Sequence, residues 1–421
     1  MKAAAIVILI SSVSGQVPVF NGKPMSTDQR IEVYREWAST DPKNISNQTL
    51  LAAAYIQKTR ETTDFSYIDR ASQIVDRVLS ERRDYEALRL RNLIELNRHH
   101  FAKVVQFASE MTESSPSDPQ NWGTLGDALM EMGDHEKAFA AYQKMVSIRS
   151  NLFSLNRMAN YRFVTGDAEG AISMMSNAIA AGSKFPENVA WCLVELGNLY
   201  FKTGKLSEAE TAYRKASETF PSSHAAIAGL AGVQAAQGKV QQSIETYKRA
   251  QAITPLVQYA AALYDLYSTA GNQTEAKNQA AMIDLVAKLE QAANQKANRT
   301  LALVYANQDR NLKQALELAE ADFAVRKDVY TWDALAWVLF KNGRLEEAQK
   351  ASREALKLNT PEPLFHQHAA AIDRALSGRS DHSAGSQACD LAGPIAKLAE
   401  HFIGVLAENR STLPYRAGGL G

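Results

Sequence analysis

Histidines, a glycine–lysine pair at 204–205 and scattered carboxylates are the residues of this 421-residue sequence whose types suit chemistry. Gly204-Lys205 resembles the end of a phosphate-binding loop, but Leu206 stands where such a loop needs serine or threonine. His366 and His368 are two residues apart, and side chains at that spacing do not share a helix face, which disfavours a shared metal ion. Neither the zinc motif His-Glu-x-x-His nor the nucleophile motif Gly-x-Ser-x-Gly occurs. We therefore predict no catalytic residue, no metal site, no cofactor and no enzyme activity.

The overall composition also excludes several classes of function. Lysine and arginine together number 46, as do aspartate and glutamate, so the formal net charge is zero. This balance argues against a nucleic-acid partner, because phosphate binding needs clustered positive charge. Cys192 and Cys389 are too few for a disulfide framework or a cysteine zinc site, and whether they pair is left open. His99 and His100 lie beside an expected turn, and we interpret both as solvated polar surface.

The first fifteen residues have the pattern of an export signal. Lys2 is followed by an apolar run at 3–10 and by small residues at 13–15, where a signal peptidase would cleave. The run is too short to span a bilayer, and no later stretch is apolar for long enough. We expect a periplasmic or extracellular protein without an integral membrane span, or a cytoplasmic one if this segment is not a signal.

Small residues recur along the chain at a nearly constant interval. The recurring positions, which are 33 to 39 residues apart, are Ala71, Val104, Ala138, Ala171, Ala209, Ser243, Ala276, Ala315 and Ala348. Glycines that suit the end of a first helix precede six of them, at Gly133, Gly166, Gly204, Gly238, Gly271 and Gly343. Apolar residues between these points recur at three- and four-residue steps, so the sequence predicts an all-α array of helical hairpins.

Each hairpin places small residues beside large ones. Gly197 and Ala209 are small, which allows the two helices of a hairpin to approach, and Tyr200 and Tyr213 fill the space beside that contact. A single hairpin cannot bury its apolar face alone, so neighbouring hairpins must stack on it.

At these residues the sequence resembles the tetratricopeptide repeat family. The match over 190–221 consists of Leu196, Gly197, Tyr200, Gly204, Ala209, Tyr213, Ala216 and Pro221. The resemblance is strong over 119–361 and weaker over 45–118. It implies a right-handed superhelical solenoid of about nine helix-turn-helix repeats, of which the first two and the eighth are degenerate. The sequence also resembles exported bacterial repeat proteins of unassigned function.

The predicted domain organisation follows from this array. A signal peptide covers 1–15 and an N-terminal segment with a capping helix covers 16–44, before the solenoid at 45–361. A capping helix at 362–377, a flexible linker at 378–393 and an amphipathic helix with a frayed tail at 394–421 follow. Whether the amphipathic helix caps the solenoid or binds a partner is left open.

The resemblance implies that the first helix of each hairpin lines a concave, partner-binding side. The candidate residues there are Asp127, Asn156, Arg157, Asn160, Phe163, Trp191, Glu195, Asn198, Phe201, Lys202, Tyr330, Trp337, Phe340 and Lys341. Asn160 and Asn198 suit a clamp on an extended backbone, since an amide side chain both donates and accepts hydrogen bonds. The flanking aromatic residues either contact the partner or pack between repeats. We expect a non-catalytic scaffold for a protein or peptide; self-association or service as an accessory subunit of a separate enzyme are the alternatives.

Overall fold

The computed structural model of this protein describes residues 19–20, 23–183, 185–292 and 297–380. Within these residues the all-α prediction is confirmed, except for a two-residue antiparallel pair of β1 (Val19–Phe20) with β2 (Lys23–Pro24). The predicted signal peptide, the linker beyond residue 380, the amphipathic helix at 394–421 and Cys389 all lie outside the described residues.

The described chain forms two compact units, one ending at Ile94 and the other beginning at Glu95. Helices of the first unit are α1 (Thr27–Thr40), α2 (Ile45–Thr62), α3 (Ser66–Glu81) and most of α4 (Tyr85–Asn97). The second unit contains the end of α4 and the helices α5 (Phe101–Ser114), α6 (Pro119–Glu131), α7 (His135–Ile148), α8 (Leu152–Val164), α9 (Ala168–Ala181), α10 (Pro186–Lys202), α11 (Leu206–Thr219), α12 (His224–Ala236), α13 (Val240–Ile253), α14 (Val257–Thr269), α15 (Gln273–Ala292), α16 (Arg299–Asn307), α17 (Leu312–Val325), α18 (Val329–Lys341), α19 (Leu345–Leu356) and α20 (Pro363–Ser380).

The first unit begins with a capped helix that packs on the array. Ser26 and Gln29 form a reciprocal capping box at the start of α1, which satisfies two backbone N–H groups that have no partner inside the helix. Ile31 and Tyr34 are buried in a cluster with residues of α2, α3 and α4. The apolar face of α1 therefore packs on α2 within the first unit.

The recurring small positions of the sequence are the most deeply buried points of the second helices. All nine are 0 or 1% exposed, which confirms the repeat register. Ser243 fits where the others are apolar because its hydroxyl donates a hydrogen bond of 2.8 Å to the Ala231 carbonyl on the preceding helix. A polar atom can be buried there without penalty because it has a partner.

Turns inside the hairpins are formed as predicted. All six turn glycines have positive φ, between +75° and +97°, a conformation that costs glycine little. Degenerate hairpins place other residues in the left-handed region at their turns: Thr63 at +57°, His99 at +60° and Asp309 at +49°. These residues carry a conformational cost that glycine would avoid.

Glycine allows a tyrosine to sit between two hairpins. A Cβ atom on Gly197 would lie 2.5 Å from Cε1 of Tyr213, and one on Gly229 of the next hairpin would lie 2.4 Å from the same atom. Tyr213 is fully buried between them. The small residues therefore admit an aromatic ring that joins neighbouring repeats.

First helices form one layer of the second unit. Contacts join α6 to α8, α8 to α10, α10 to α12, α14 to α16, α16 to α18 and α18 to α20. Second helices pack mainly on their own first helix, and most of them also pack on the next hairpin. We call the surface formed by α6, α8, α10, α12, α14, α16 and α18 the first-helix layer. Stacking of this kind is how a repeat protein builds a continuous core.

Candidate functional site

All fourteen predicted binding residues lie in the first-helix layer, on α6, α8, α10 and α18. The nine that are buried are Asp127, Asn156, Arg157, Phe163, Glu195, Asn198, Phe201, Lys202 and Tyr330. The five that are half-buried are Asn160, Trp191, Trp337, Phe340 and Lys341. Their role in binding a partner stays a prediction, but the protein itself supplies contacts to most of them.

Asp127 and Arg157 form a buried network that joins α6 to α8. Arg157 donates from Nε to both carboxylate oxygens of Asp127, at 2.9 and 3.0 Å, and from Nη2 at 2.7 Å. The Tyr142 hydroxyl donates to the same carboxylate at 2.9 Å. Burial lowers the pKa of Arg157, but the adjacent carboxylate outweighs this and raises it overall; burial and Asp127 raise the pKa of Tyr142. A bidentate pair of this type fixes the geometry between two repeats.

Asn198, one of the two proposed clamp residues, is bonded within its own hairpin. Its side-chain oxygen accepts a hydrogen bond of 2.7 Å from the Tyr213 hydroxyl, and its nitrogen donates to Glu195 at 3.1 Å. Asn160, the other residue, is half-buried and lines a small cavity. Of the two, Asn160 is therefore the more accessible to a partner.

Lys202 is the centre of a carboxylate-binding site. Its Nζ lies 2.6 Å from Oε2 of Glu362, and both side chains are 1% exposed. The same ammonium lies 5.3 Å from the ring centre of Phe163 and 5.4 Å from that of Tyr330. Two predicted binding residues thus contact the ammonium of a third, Lys202, which pairs with a carboxylate of the chain itself. Cation–π contact with two aromatic faces favours a charged ammonium in this buried place.

Glu362 belongs to a short stretch that packs onto the first-helix layer. We call residues 360–365 the closing segment; it runs from an extended connection into the first turn of α20. The Thr360 hydroxyl donates to the carbonyl of Val164 at the end of α8, at 2.5 Å and across 196 residues of sequence. Phe365 is buried edge-on against Tyr330, with ring centres 5.1 Å apart, and Leu364 joins the apolar cluster of α10 and α12.

A second connection joins the α17–α18 turn to the end of α6. The Lys327 amide donates to the Glu131 carbonyl at 2.8 Å, and Arg326 lies 3.5 Å from the Glu131 carboxylate. Burial raises the pKa of Glu131, and Arg326 partly opposes the rise. The interpretation of His99 as solvated surface is corrected here, because its ring is half-buried and stacks on Phe101 with ring centres 5.6 Å apart, whereas His100 is exposed as predicted. Burial and then Arg326 lower the pKa of His99 to about 2.

Between these two connections lies a cavity of about 50 Å³. Polar side chains that line it include Asp127, Asn160, Arg299 and Asp328, of which the last two pair at 3.1 Å. A space of this size and polarity suits a few water molecules, since one water needs roughly 10–15 Å³ of such volume. The cavity is too small for a peptide side chain and a backbone together.

The predicted residues of α18 face α20 and the preceding first helix. Trp337 stacks on His368 of α20, with ring centres 4.0 Å apart, and donates from its indole nitrogen to Asn307 at 2.6 Å. Phe340 stacks on Trp337 at 5.0 Å, and Lys341 pairs with Asp309 at 2.7 Å. All three predicted side chains of this group keep part of their surface accessible.

Residues 360–365 were missed as part of the site by reasoning from the sequence. Prolines at 361 and 363 mark the end of a repeat, and the family pattern stops there. The one available signal is that Thr360, Glu362 and Leu364 alternate with the prolines at 361 and 363 where the repeat pattern ends. Nothing in that pattern identifies Lys202 as the partner of Glu362, because local periodicity does not report contacts between distant repeats.

The described residues contain neither a metal-ligand cluster nor a membrane-spanning helix. Across 23–183, 185–292 and 297–380, no three His, Cys, Asp or Glu side chains are grouped as ligands of a metal ion. Among the helices in these ranges, none combines the length and apolar character that crossing a membrane requires.

Comparison with known families identifies the repeats. Three family models described as tetratricopeptide repeat match residues 194–256, residues 151–222, and residues 119–152 with 329–361. The matched ranges contain α6 to α13 and α18 to α19, and so include every predicted binding residue. No curated protein sequence matches the chain significantly.

Solved repeat proteins are similar to parts of this chain at low identity. A tetratricopeptide repeat protein from Parabacteroides merdae is 15% identical, with 69% of this chain and 98% of that chain covered and a TM-score of 0.37. Pseudomonas aeruginosa pilF is 14% identical, with 48% and 90% covered and a TM-score of 0.42. YrrB, described as a repeat protein with an unusual peptide-binding site, is 17% identical, with 42% and 89% covered and a TM-score of 0.31.

Proposed function

Because the chain is a tetratricopeptide repeat protein, we propose that it is a non-catalytic scaffold that holds a protein or peptide on its first-helix layer. The observation that carries this proposal is the seating of the closing segment, residues 360–365, around Lys202. A surface that accommodates one stretch of polypeptide through a carboxylate, a hydroxyl and two apolar side chains has the chemistry to accommodate another.

Rigidity supports the same function. The Asp127–Arg157 pair and the Tyr213 hydroxyl fix side chains of the layer before any partner arrives. Binding then orders mainly the partner, which lowers the entropic cost on the side of the scaffold. Half-buried Trp191 and Phe340 supply aromatic surface, which dominates the binding energy of many interfaces.

We place this scaffold outside the cytoplasm. The proposal is supported by the positively charged start, the short apolar run at 3–10 and the small residues at 13–15. Fractionation of the native host with an antibody to residues of α13 gives the test: signal in the envelope or medium supports export, and signal confined to the cytoplasm contradicts it.

The experiment that tests the function is affinity capture from a native extract. Trp191→Ala with Phe340→Ala alters accessible parts of the first-helix layer, and Ile253→Ala with Leu285→Ala alters side chains 44 and 51% exposed on second helices. We expect partners to be lost from the first variant and retained by the second, with equal helicity. If both variants retain the partners equally, the binding surface does not include Trp191 and Phe340. If only copies of the protein itself are recovered, its role is structural self-association and not that of a scaffold.

A further inference from the structure

The closing segment, residues 360–365, has the contacts of a bound ligand. Thr360, Glu362, Leu364 and Phe365 are all at most 8% exposed, although they belong to a connection and a first helical turn. Each contacts a different part of the first-helix layer: the end of α8, Lys202, the α10–α12 cluster and Tyr330. Ordinary connections run over the surface and are exposed, so this degree of burial is a specific arrangement.

The site around Lys202 selects a carboxylate. With its side chain 1% exposed, the ammonium has lost its water and needs an anion beside it. An amide or apolar group in place of Glu362 would leave a buried charge unpaired, and a basic group would be repelled. Phe163 and Tyr330 exclude water but cannot neutralise the charge.

The rest of α20 adds a helical pattern to this requirement. Leu364, His368 and Ile372 lie at four-residue steps and are buried, whereas His366 and Gln367 between them are exposed. His368 meets Asp333 at 2.9 Å and stacks on Trp337, and Ile372 joins the apolar cluster of α16 and α18. The layer therefore holds one face of a helix whose N-terminus carries a carboxylate.

The position of α20 makes exchange possible. It packs against α18 and α19, while every preceding hairpin has its own contacts with its neighbours. Single elements of a repeat array can open without unfolding of the whole array, so α20 and the closing segment can leave while those hairpins stay stacked. A partner helix that makes the same contacts with the first-helix layer would replace the contacts that are lost when α20 leaves.

We propose that α20 with the closing segment is an exchangeable internal ligand, and that the protein's partner presents an amphipathic helix with an acidic residue at its N-terminus and two bulky apolar residues in its first turn. This proposal rests on the scaffold function above and names the partner class for it. The internal copy is tethered, so its effective concentration is high and it competes with a partner in solution. The apparent affinity for a free helix is therefore lower, because only molecules from which α20 has left the first-helix layer can bind it.

A labelled peptide with the sequence of residues 358–377 is the probe, and fluorescence anisotropy with the full chain is the measurement. In the variant Leu364→Ala with Phe365→Ala the internal ligand is weakened while Lys202 is unchanged. We expect this variant to bind the peptide at least 10-fold more tightly than the wild type. Adding Lys202→Met, or replacing the peptide's glutamate with lysine, is expected to abolish the gain.

A folded double variant that binds no better than the wild type, or binding indifferent to the glutamate, would overturn the proposal. Leu364→Ala alone is a milder second variant in case the double variant fails to fold, because it leaves the Lys202–Glu362 pair intact; increased exchange of α20 amides with increased peptide binding is expected there. If the wild type is dimeric and the double variant is monomeric, the site binds α20 of a second copy instead of a different partner. A further outcome is that the peptide does not bind the double variant while partners captured from an extract still depend on Trp191 and Phe340. That result would show that the proposed partner class is wrong and that the scaffold function stands.

Discussion

The burial of the Lys202–Glu362 pair predicts how strongly substitutions of either residue lower the free energy of unfolding. Both side chains are 1% exposed and their charged atoms are 2.6 Å apart. Removing one member of such a pair leaves a desolvated charge, which costs about 3–5 kcal/mol, whereas replacing both by uncharged residues leaves no buried charge. Lys202→Met and Glu362→Gln should therefore each destabilise the protein strongly, while the double variant should recover most of the loss.

The expected coupling energy between the two substitutions is at least about 3 kcal/mol. The measured coupling energy cannot exceed the free energy with which α20 docks on the preceding helices. A protein that has lost the ion pair can release α20 instead of unfolding entirely. Guanidinium denaturation followed by circular dichroism measures the overall effect, and hydrogen exchange of α20 amides measures the local one.

An exposed ion pair serves as the matched control. Arg214 and Glu210 lie 2.6 Å apart on one helix, but their side chains are 62 and 31% exposed. Arg214→Met with Glu210→Gln should show a coupling below about 0.5 kcal/mol. An equally small Lys202–Glu362 coupling, with unchanged hydrogen exchange in α20, would show that the buried pair does not hold the closing segment.

Three further predictions concern packing, pH and backbone conformation. Gly229→Ala should cost about 1–3 kcal/mol in denaturation, since its methyl group would meet the rigid ring of Tyr213 at 2.4 Å, whereas Gly123→Ala should cost less because it meets a flexible methionine. Burial lowers the pKa of His224 to about 4, so the folded state resists its protonation and stability should fall by about 3 kcal/mol as pH drops from 6.5 to 4; His224→Gln should remove this dependence. Thr63→Gly should stabilise the first unit by about 0.5–1 kcal/mol, because φ is +57° there, and an unchanged denaturation midpoint would contradict this.

The repeat architecture is readable from the sequence because its determinants are local. Ala138 and Gly133 have the same spacing in one hairpin as Ala209 and Gly204 in another, and each pair performs the same two tasks: close helix packing and a left-handed turn. A degenerate hairpin keeps the fold with Asp309 at the turn, so its glycine is missing from the pattern while its geometry is retained.

The environment of the candidate site depends on contacts that local patterns do not encode. Asn198 looked available for a peptide backbone, but the Tyr213 hydroxyl of the second helix already uses its oxygen. Thr360 and Val164 meet across 196 residues, and that meeting depends on the twist accumulated over many repeats. Helical periodicity therefore located Lys202 in the layer without indicating that Glu362 would be seated on it.

Site-specific photo-cross-linking in the native extract is the most direct test of the central claim. A photoreactive phenylalanine replaces Phe340 in the first-helix layer, or Ile253 at the end of a second helix as the control. We predict that position 340 cross-links to a protein partner and that position 253 does not. A partner captured equally at both positions, or at position 253 alone, would contradict the first-helix layer as the binding surface.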